Sequence, residues 1–364
     1  MQQGESVYLD LIRFCAAVLV VLTHLIQFDM LPQSLGAFAP DLGREAVIVF
    51  FVLSGYVIAF AADTKYPSAE SYLVSRASRL YSVAIPILLL ALCLDSIGIY
   101  LLNGSYTHLY QYEKFYFYVP FHLLFLGEVW TLAERPFTAD PYWSLSFEAW
   151  YYVWFASLFY FAGWRRVTLF VAVALIVGYQ HWILFPIWLS GVWLYRVRHG
   201  MQVSVLVARM GMAVSVLAVL FLEYSGLDKW LWQLGRDSWP FPDLPQGSTD
   251  QYMLDYVVCI CTVVHLFCAS RAKLSFSRGV AQIIRRIASY TFTLYLIHTV
   301  VMSSWQNNFV YNNTNYLHFC FIIVLITTAT LVVGELTERR RDHSKRALVW
   351  GLNAFKSFAR RLRL

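Results

Sequence analysis

DLIRFCAAVLVVLTH (residues 10–24) is apolar enough to lie in a bilayer, yet it holds an arginine near its start and a histidine at its end. An ionisable side chain inside a lipid-spanning helix costs roughly 2.5–3.5 kcal/mol on insertion scales, so such groups turn toward a cavity, a partner or a substrate. Arg13 and His24 are eleven residues apart. At about 100° per residue this spacing returns to within about 20° of the same face, roughly 16 Å along the axis. One stripe of one helix therefore joins a phosphate-binding type of side chain to a proton-transfer type.

The rest of the chain supplies the membrane. Apolar residues make up 59% of the 364 and charged residues 14%, with a mean hydropathy of +0.54. A water-soluble domain of that composition would expose much apolar surface. The charges fall between apolar runs of about 17–22 residues, long enough to cross as helices, whereas barrel strands are shorter and alternate in polarity. Spans are expected near 7–28, 44–62, 80–102, 142–162, 166–182, 183–196, 203–225, 252–270, 289–306 and 316–335. The expected fold class is an all-α integral membrane protein of about ten transmembrane helices with both termini cytosolic. Residues 1–335 form the membrane domain, and 336–364 a basic cytosolic tail.

One stretch, KFYFYVPFHLLFLGEVW (114–130), is long enough to cross but carries Pro120, His122 and an aromatic end suited to the interface. Charge bias argues against a crossing. Without it, twenty-one Lys and Arg face one side and only Arg44, Lys114, Arg135, Lys229 and Arg236 face the other, which is the positive-inside pattern. A crossing there would move Arg165 and Arg166 outward and part ERRRDHSKR (338–346) from Arg76 and Arg79. The net charge of +6 is thus assigned to inner-leaflet anchoring, with no nucleic-acid partner expected. The tail KSFARRLRL (356–364) is expected to lie on the inner membrane surface. The first segment lacks a basic start and a cleavage site and is expected to be a retained helix. The six cysteines fall inside spans without a CxxC pair, so they are expected to be small buried hydrophobes, with no disulfide or metal role.

Five features in order resemble the membrane acyltransferase-3 family: the Arg-x10-His spacing of the first helix, FFVLSGY (50–56), RASR (76–79), WSLSFE (143–148) and SYTFTLYLIH (289–298). The resemblance runs over nearly all of the chain. It implies an integral-membrane O-acyltransferase, most often moving acetyl from cytosolic acetyl-CoA as co-substrate, with no bound cofactor or metal, onto a hydroxyl of a sugar or surface polysaccharide. It also implies an acyltransferase membrane domain over 1–335. The expected location is multi-pass in the bacterial cytoplasmic (inner) membrane, with the bilayer, acyl-CoA and a carbohydrate as partners. One departure stands in the inner loop, RASRLYSVAIP, where Ser82 takes the place of a proline common in the family and Pro86 follows one turn later.

On this resemblance His24 is a general base for the acceptor hydroxyl or itself accepts the acyl group; the alternative is a histidine packed across the bundle. Arg13, Arg76 and Arg79 are the expected CoA-phosphate ligands. Arg13 could instead pair with Asp10, and Arg76 and Arg79 could anchor the inner leaflet. Glu148 is expected to orient the imidazole or bind the acceptor. Ser54 and Tyr56, around Gly55, are expected at the CoA entrance. Trp143, Ser144, Tyr295 and His298 are expected on the acceptor side. The aromatic segment 103–141 and the Trp- and Asp-rich 226–251 suit either sugar stacking or an interfacial belt. A secondary transporter or exporter of a small molecule or lipid-linked sugar is the alternative class, and paired broken helices would favour it.

Overall fold

The computed structural model describes residues 3–36, 38–198, 200, 202–239 and 241–361. Among them the chain is helical, without strands, in the order α1 (Gln3–Gln27), α2 (Gln33–Gly36), α3 (Gly43–Lys65), α4 (Ala69–Leu101), α5 (Leu109–Glu113), α6 (Phe115–Leu123), α7 (Tyr142–Tyr160), α8 (Gly163–Val177), α9 (Tyr179–Val197), α10 (Val205–Ser225), α11 (Leu227–Asp237), α12 (Tyr252–Ala269), α13 (Arg278–Ala288), α14 (Thr291–Asn308), α15 (Tyr316–Leu336) and α16 (Arg341–Arg361). Five of these, α1, α3, α4, α10 and α12, and the stretch Tyr316–Ala354 are long and apolar enough to cross a membrane. The helices α7, α8, α9 and α14, of 15–19 residues, pack among them.

Helix boundaries follow local chemistry. The α4 helix starts at Ala69, well before the expected residue 80, because the Ser68 hydroxyl accepts the Ser71 N–H at 3.2 Å while Ser71 Oγ accepts the Ser68 N–H at 3.3 Å, a reciprocal cap. Arg76 and Arg79 therefore sit on a helix and not in a loop. The break expected near residue 182 falls at Gly178, whose φ of +80° suits a residue without Cβ. Pro86 lies inside α4 and removes one donor from its ladder.

Segment 109–141 folds into the bundle as a hairpin. Tyr112 OH on the entering limb and Thr138 Oγ1 on the returning limb donate to Asp95 of α4 at 3.0 and 2.9 Å. Between them the chain descends until Tyr81 OH donates to the Leu123 carbonyl at 2.9 Å and Trp150 Nε1 to the Phe125 carbonyl at 3.0 Å. Tyr81 lies fourteen residues before Asp95, roughly 20 Å along the helix. The segment enters and leaves at one end of α4. Part of the aromatic set expected at an outer surface is packed inside, as in the Tyr112–Phe137 pair at 5.2 Å. At the C-terminus α16 runs beside α4, and Lys356 Nζ meets Glu70 at 2.6 Å. Residues 362–364 of the tail lie outside the described residues.

Of the six apolar stretches α3 is the most enclosed, with 72% of its apolar window buried against 17% for α10, so the bundle is organised around it. Gly55 of α3 sits where a Cβ would fall 2.0 Å from the Trp188 carbonyl oxygen of α9, and Gly191 of α9 where a Cβ would fall 2.0 Å from the Val52 carbonyl oxygen of α3. Each helix thus needs a glycine for the backbones to approach, as small residues permit in membranes. At its other end α3 is joined to α12 by a two-pronged ion pair, Arg44 Nε to Asp255 Oδ1 at 2.8 Å and the second nitrogen to Oδ2. Asp255 is fully buried, so the fork supplies the paired, hydrogen-bonded environment that a buried carboxylate requires.

Gly55→Ala and Gly191→Ala are each expected to lower stability by about 1–3 kcal/mol or more, since the methyl group meets facing backbone and not a movable side chain. Gly279→Ala, where a Cβ meets nothing within 4 Å, serves as control. Thermal unfolding of the purified proteins checks this: glycine variants in the α3–α9 contact that melt with the control would mean that the two helices separate at little cost.

Candidate active site

The first helix carries its two polar residues to two different clefts. Arg13 lines the first, together with Ser54 of α3, Arg76 and Arg79 of α4, Glu148 and Tyr152 of α7, and Thr291 and Tyr295 of α14. His24 lines the second, with Arg44 of α3, Arg135, Asp140, Trp143 and again Tyr295. Val47 and Tyr295 belong to both linings, so the clefts lie back to back. Ser144 Oγ donates to the Pro141 carbonyl at 3.1 Å and is therefore the acceptor in its 2.6 Å bond with Tyr295 OH. That bond holds the Tyr295 ring in the wall, where it also meets Phe50 edge-on at 5.5 Å.

In the first cleft three guanidinium groups converge. Arg13 makes one bond to Asp10, at 3.3 Å; the ion pair and the cleft position hold together and are not alternatives. Arg76, 8% exposed, donates to Tyr66 OH at 3.1 Å and Ser75 Oγ at 3.2 Å, while its Nε has no protein partner. Buried within the bundle, it is unlike a leaflet anchor. Arg79 and Arg13 act on one another as like charges. Glu148 accepts from Ser54 Oγ at 2.7 Å and from Tyr152 OH. Its bonds hold α3 to α7, and its place is on the arginine side of Tyr295. The expectation that Glu148 orients His24 is thereby corrected.

That position is taken by His298. The His24 Nδ1 atom lies 2.8 Å from the Val20 carbonyl oxygen and 3.1 Å from His298 Nε2, and His298 Nδ1 lies 2.9 Å from the Leu294 carbonyl oxygen. A carbonyl only accepts, so each Nδ1 carries the proton. His298 Nε2 then holds a lone pair, and the single His24 Nδ1–H is shared between it and the nearer Val20 carbonyl, which leaves His24 Nε2 as the basic nitrogen. The two rings meet near edge-on with centroids 4.9 Å apart. His298 is fully buried, and its contact lies on the Nδ1 side of the His24 ring, where a partner affects tautomer and orientation.

Of the remaining expected residues, Ser144 and Tyr295 form the wall, and Trp143 faces the second cleft with the Arg44 guanidinium 5.0 Å from its ring centre. Tyr56 departs from expectation. Its hydroxyl donates to Glu5 and its ring packs on Tyr195 at 5.8 Å, away from the first cleft. The reason is helical phase: Gly55 must face α9, so Ser54 and Tyr56 turn to opposite sides of that contact. Residues that the sequence analysis passed over are Tyr152, Arg44 and the ion pair of Arg135 with Asp140 at 2.9 Å. Tyr152 stands four residues after Glu148, a spacing that places it on the same helix face. Arg44 is joined to Asp255 across 211 residues of sequence, which no local pattern marks, and Arg135 and Asp140 pair within one loop at a spacing of five that is not a helical repeat.

No curated protein and no solved structure matches the chain. The family model described as an acyltransferase domain matches residues 6–335, which takes in both clefts and every helix from α1 to α15, and the chain therefore belongs to the acyltransferase-3 family of membrane proteins.

Proposed function

We propose that this protein moves an acyl group, acetyl by preference, from cytosolic acyl-CoA to a hydroxyl of a sugar or surface polysaccharide across the wall formed by Tyr295. The observation that carries this reading is the pair of clefts: one helix presents Arg13 to the first and His24 to the second, with Val47 and Tyr295 common to both. The spacing of roughly 16 Å along α1 is comparable to a pantetheine arm. Arg13, Arg76 and Arg79 would hold the phosphates, which guanidinium forks suit, and the thioester would lie at the wall. The acceptor hydroxyl would enter beside His24, with Trp143, Arg44 and the Arg135–Asp140 pair around it.

The chemistry balances on one nitrogen. As the acceptor oxygen attacks the thioester carbonyl, its proton passes to His24 Nε2; the tetrahedral intermediate then expels the CoA thiolate, which takes that proton back. His298 holds the opposite nitrogen during both transfers. If His24 accepts the acyl group itself, Nε2 is again the atom that acts.

The same reading assigns ten crossings, by α1, α3, α4, α7, α8, α9, α10, α12, α14 and α15, with both termini cytosolic in a bacterial inner membrane. The charge bias and the return of the 109–141 hairpin to the Asp95 end of α4 support this assignment.

Topology is tested with single cysteines in a background lacking the six native ones. Asp243→Cys should react with an impermeant reagent from outside, and Arg165→Cys only from the cytosolic side; equal labelling from one side overturns the ten-helix arrangement.

Kinetics test the division of labour along α1. His24→Ala should lose at least about a hundredfold in transfer rate with acetyl-CoA and with acetyl-pantetheine alike. Arg13→Ala should lose about 2 kcal/mol of binding, roughly thirtyfold, with acetyl-CoA alone. Identical KM ratios for the two donors in Arg13→Ala and parent would remove the arginine from the donor site, and full activity in His24→Ala would remove the histidine from the reaction.

A further inference from the structure

One of the chain's own carboxylates, Glu338, is bound to the first turn of α14, whose Thr291 and Phe292 line the arginine cleft. After α15 the chain makes a tight turn over Glu338–Arg340. Glu338 Oε2 accepts the Thr293 N–H and the Thr293 hydroxyl, each at 2.9 Å, and Oε1 accepts the Phe292 N–H at 3.4 Å. These donors are the first turn of α14, an eighteen-residue helix whose N-cap residue, Tyr290, makes no side-chain cap. A helix N-terminus with free N–H groups favours an anion, and here Glu338 plays that part from 45 residues away in sequence.

The cradle offers more than a carboxylate uses. Thr291, which begins the helix and lines the cleft, is 2% exposed, and its hydroxyl has no protein partner. Arg76 Nε beside the same cleft is likewise unpartnered, and Arg79 lies within electrostatic reach of Glu338. A phosphate group has three acceptor oxygens and up to two charges, where a carboxylate has two oxygens and one. It would therefore engage Thr291 and Arg79 as well as the donors Glu338 now takes.

The turn is also held by contacts that can be exchanged. Arg339 donates to the hydroxyl of the buried Tyr290 at 2.8 Å and to the exposed Glu335, and α16 beyond it is tied to α4 through the exposed Lys356–Glu70 pair. Exposed ion pairs of this kind contribute about 0–1 kcal/mol each, so these two pairs add little to the bonds that Glu338 itself makes.

We propose that the N-terminus of α14 is a phosphate site for the acyl donor, kept closed in the empty protein by Glu338, which stands where phosphate oxygens bind. This rests on the reading of the arginine cleft as the donor site. A phosphate of the nucleotide thioester displaces the Glu338 carboxylate, takes the Phe292 and Thr293 N–H groups and the Thr291 and Thr293 hydroxyls, and moves the 337–340 turn outward. Donor binding is thereby coupled to the position of α16.

The full chain in phosphatidylcholine nanodiscs tests this by binding of pyrophosphate, adenosine 3′,5′-bisphosphate and CoA, without any acyl transfer. Glu338→Gln should bind pyrophosphate and the bisphosphate about tenfold more tightly than the parent, because the internal competitor is weakened. Thr291→Val should bind them several-fold more weakly at an unchanged melting temperature, since its hydroxyl makes no bond in the empty protein. Unchanged or weaker binding in Glu338→Gln overturns the proposal. If that variant does not fold, Thr291→Val decides alone, and parental affinity there overturns it. Competition by phosphatidic acid in the nanodisc at equal strength would give the cradle to a lipid headgroup and overturn the donor assignment. Tightening for pyrophosphate with no CoA binding in any variant would retain the cradle but refute acyl-CoA as donor. CoA binding indifferent to both substitutions would retain the donor and refute the cradle.

Discussion

The close approach of α3 and α9 is the constraint on which the rest of the structure depends. Gly55 and Gly191 each bring a backbone carbonyl of the other helix to a distance that no Cβ tolerates. Lipid offers little hydrophobic force between helices, so van der Waals contact over such a seam is what holds them. With the α3 face at Gly55 committed to α9, helical phase turns Ser54 toward α7, and Phe50 and Val47 toward Tyr295. Both clefts take one wall from this helix.

Polar groups inside the bundle are satisfied in pairs that join distant helices. Arg44 and Asp255 tie α3 to α12, Ser54 and Glu148 tie α3 to α7, Ser144 and Tyr295 tie α7 to α14, and His24 and His298 tie α1 to α14. In a medium without competing water a lone polar group is costly. Each bond therefore places its helices as well as its side chains. The site inherits its geometry from this network, and of the buried polar atoms that it leaves without a protein partner, the Thr291 hydroxyl and Arg76 Nε lie at the arginine cleft.

The 109–141 hairpin shows how charge and packing agree. Its length and apolarity suit a crossing, while Pro120, the interfacial aromatics and the flanking charges do not. The chain meets both demands by entering the bundle and returning, with buried Asp95 accepting hydrogen bonds from both limbs. Irregular backbone at membrane depth is tolerated where protein covers it, and Tyr81 and Trp150 cover the carbonyls of Leu123 and Phe125.

The sequence by itself determined the helical membrane character, the approximate place of the apolar helices, the charge bias and the family, because length, hydropathy and ordered motifs are local properties. It also determined that Arg13 and His24 share one stripe, since α-helical periodicity follows from spacing alone. Only the tertiary structure decided what each stripe residue meets. His298 and not Glu148 reaches His24, across 274 residues of sequence; Tyr56 turns from the cleft toward Glu5; and Glu338 caps a helix that begins 47 residues earlier. These pairings are set by how helices dock, through glycine contacts and buried polar bonds between segments far apart in the chain, and no periodicity within one segment encodes them.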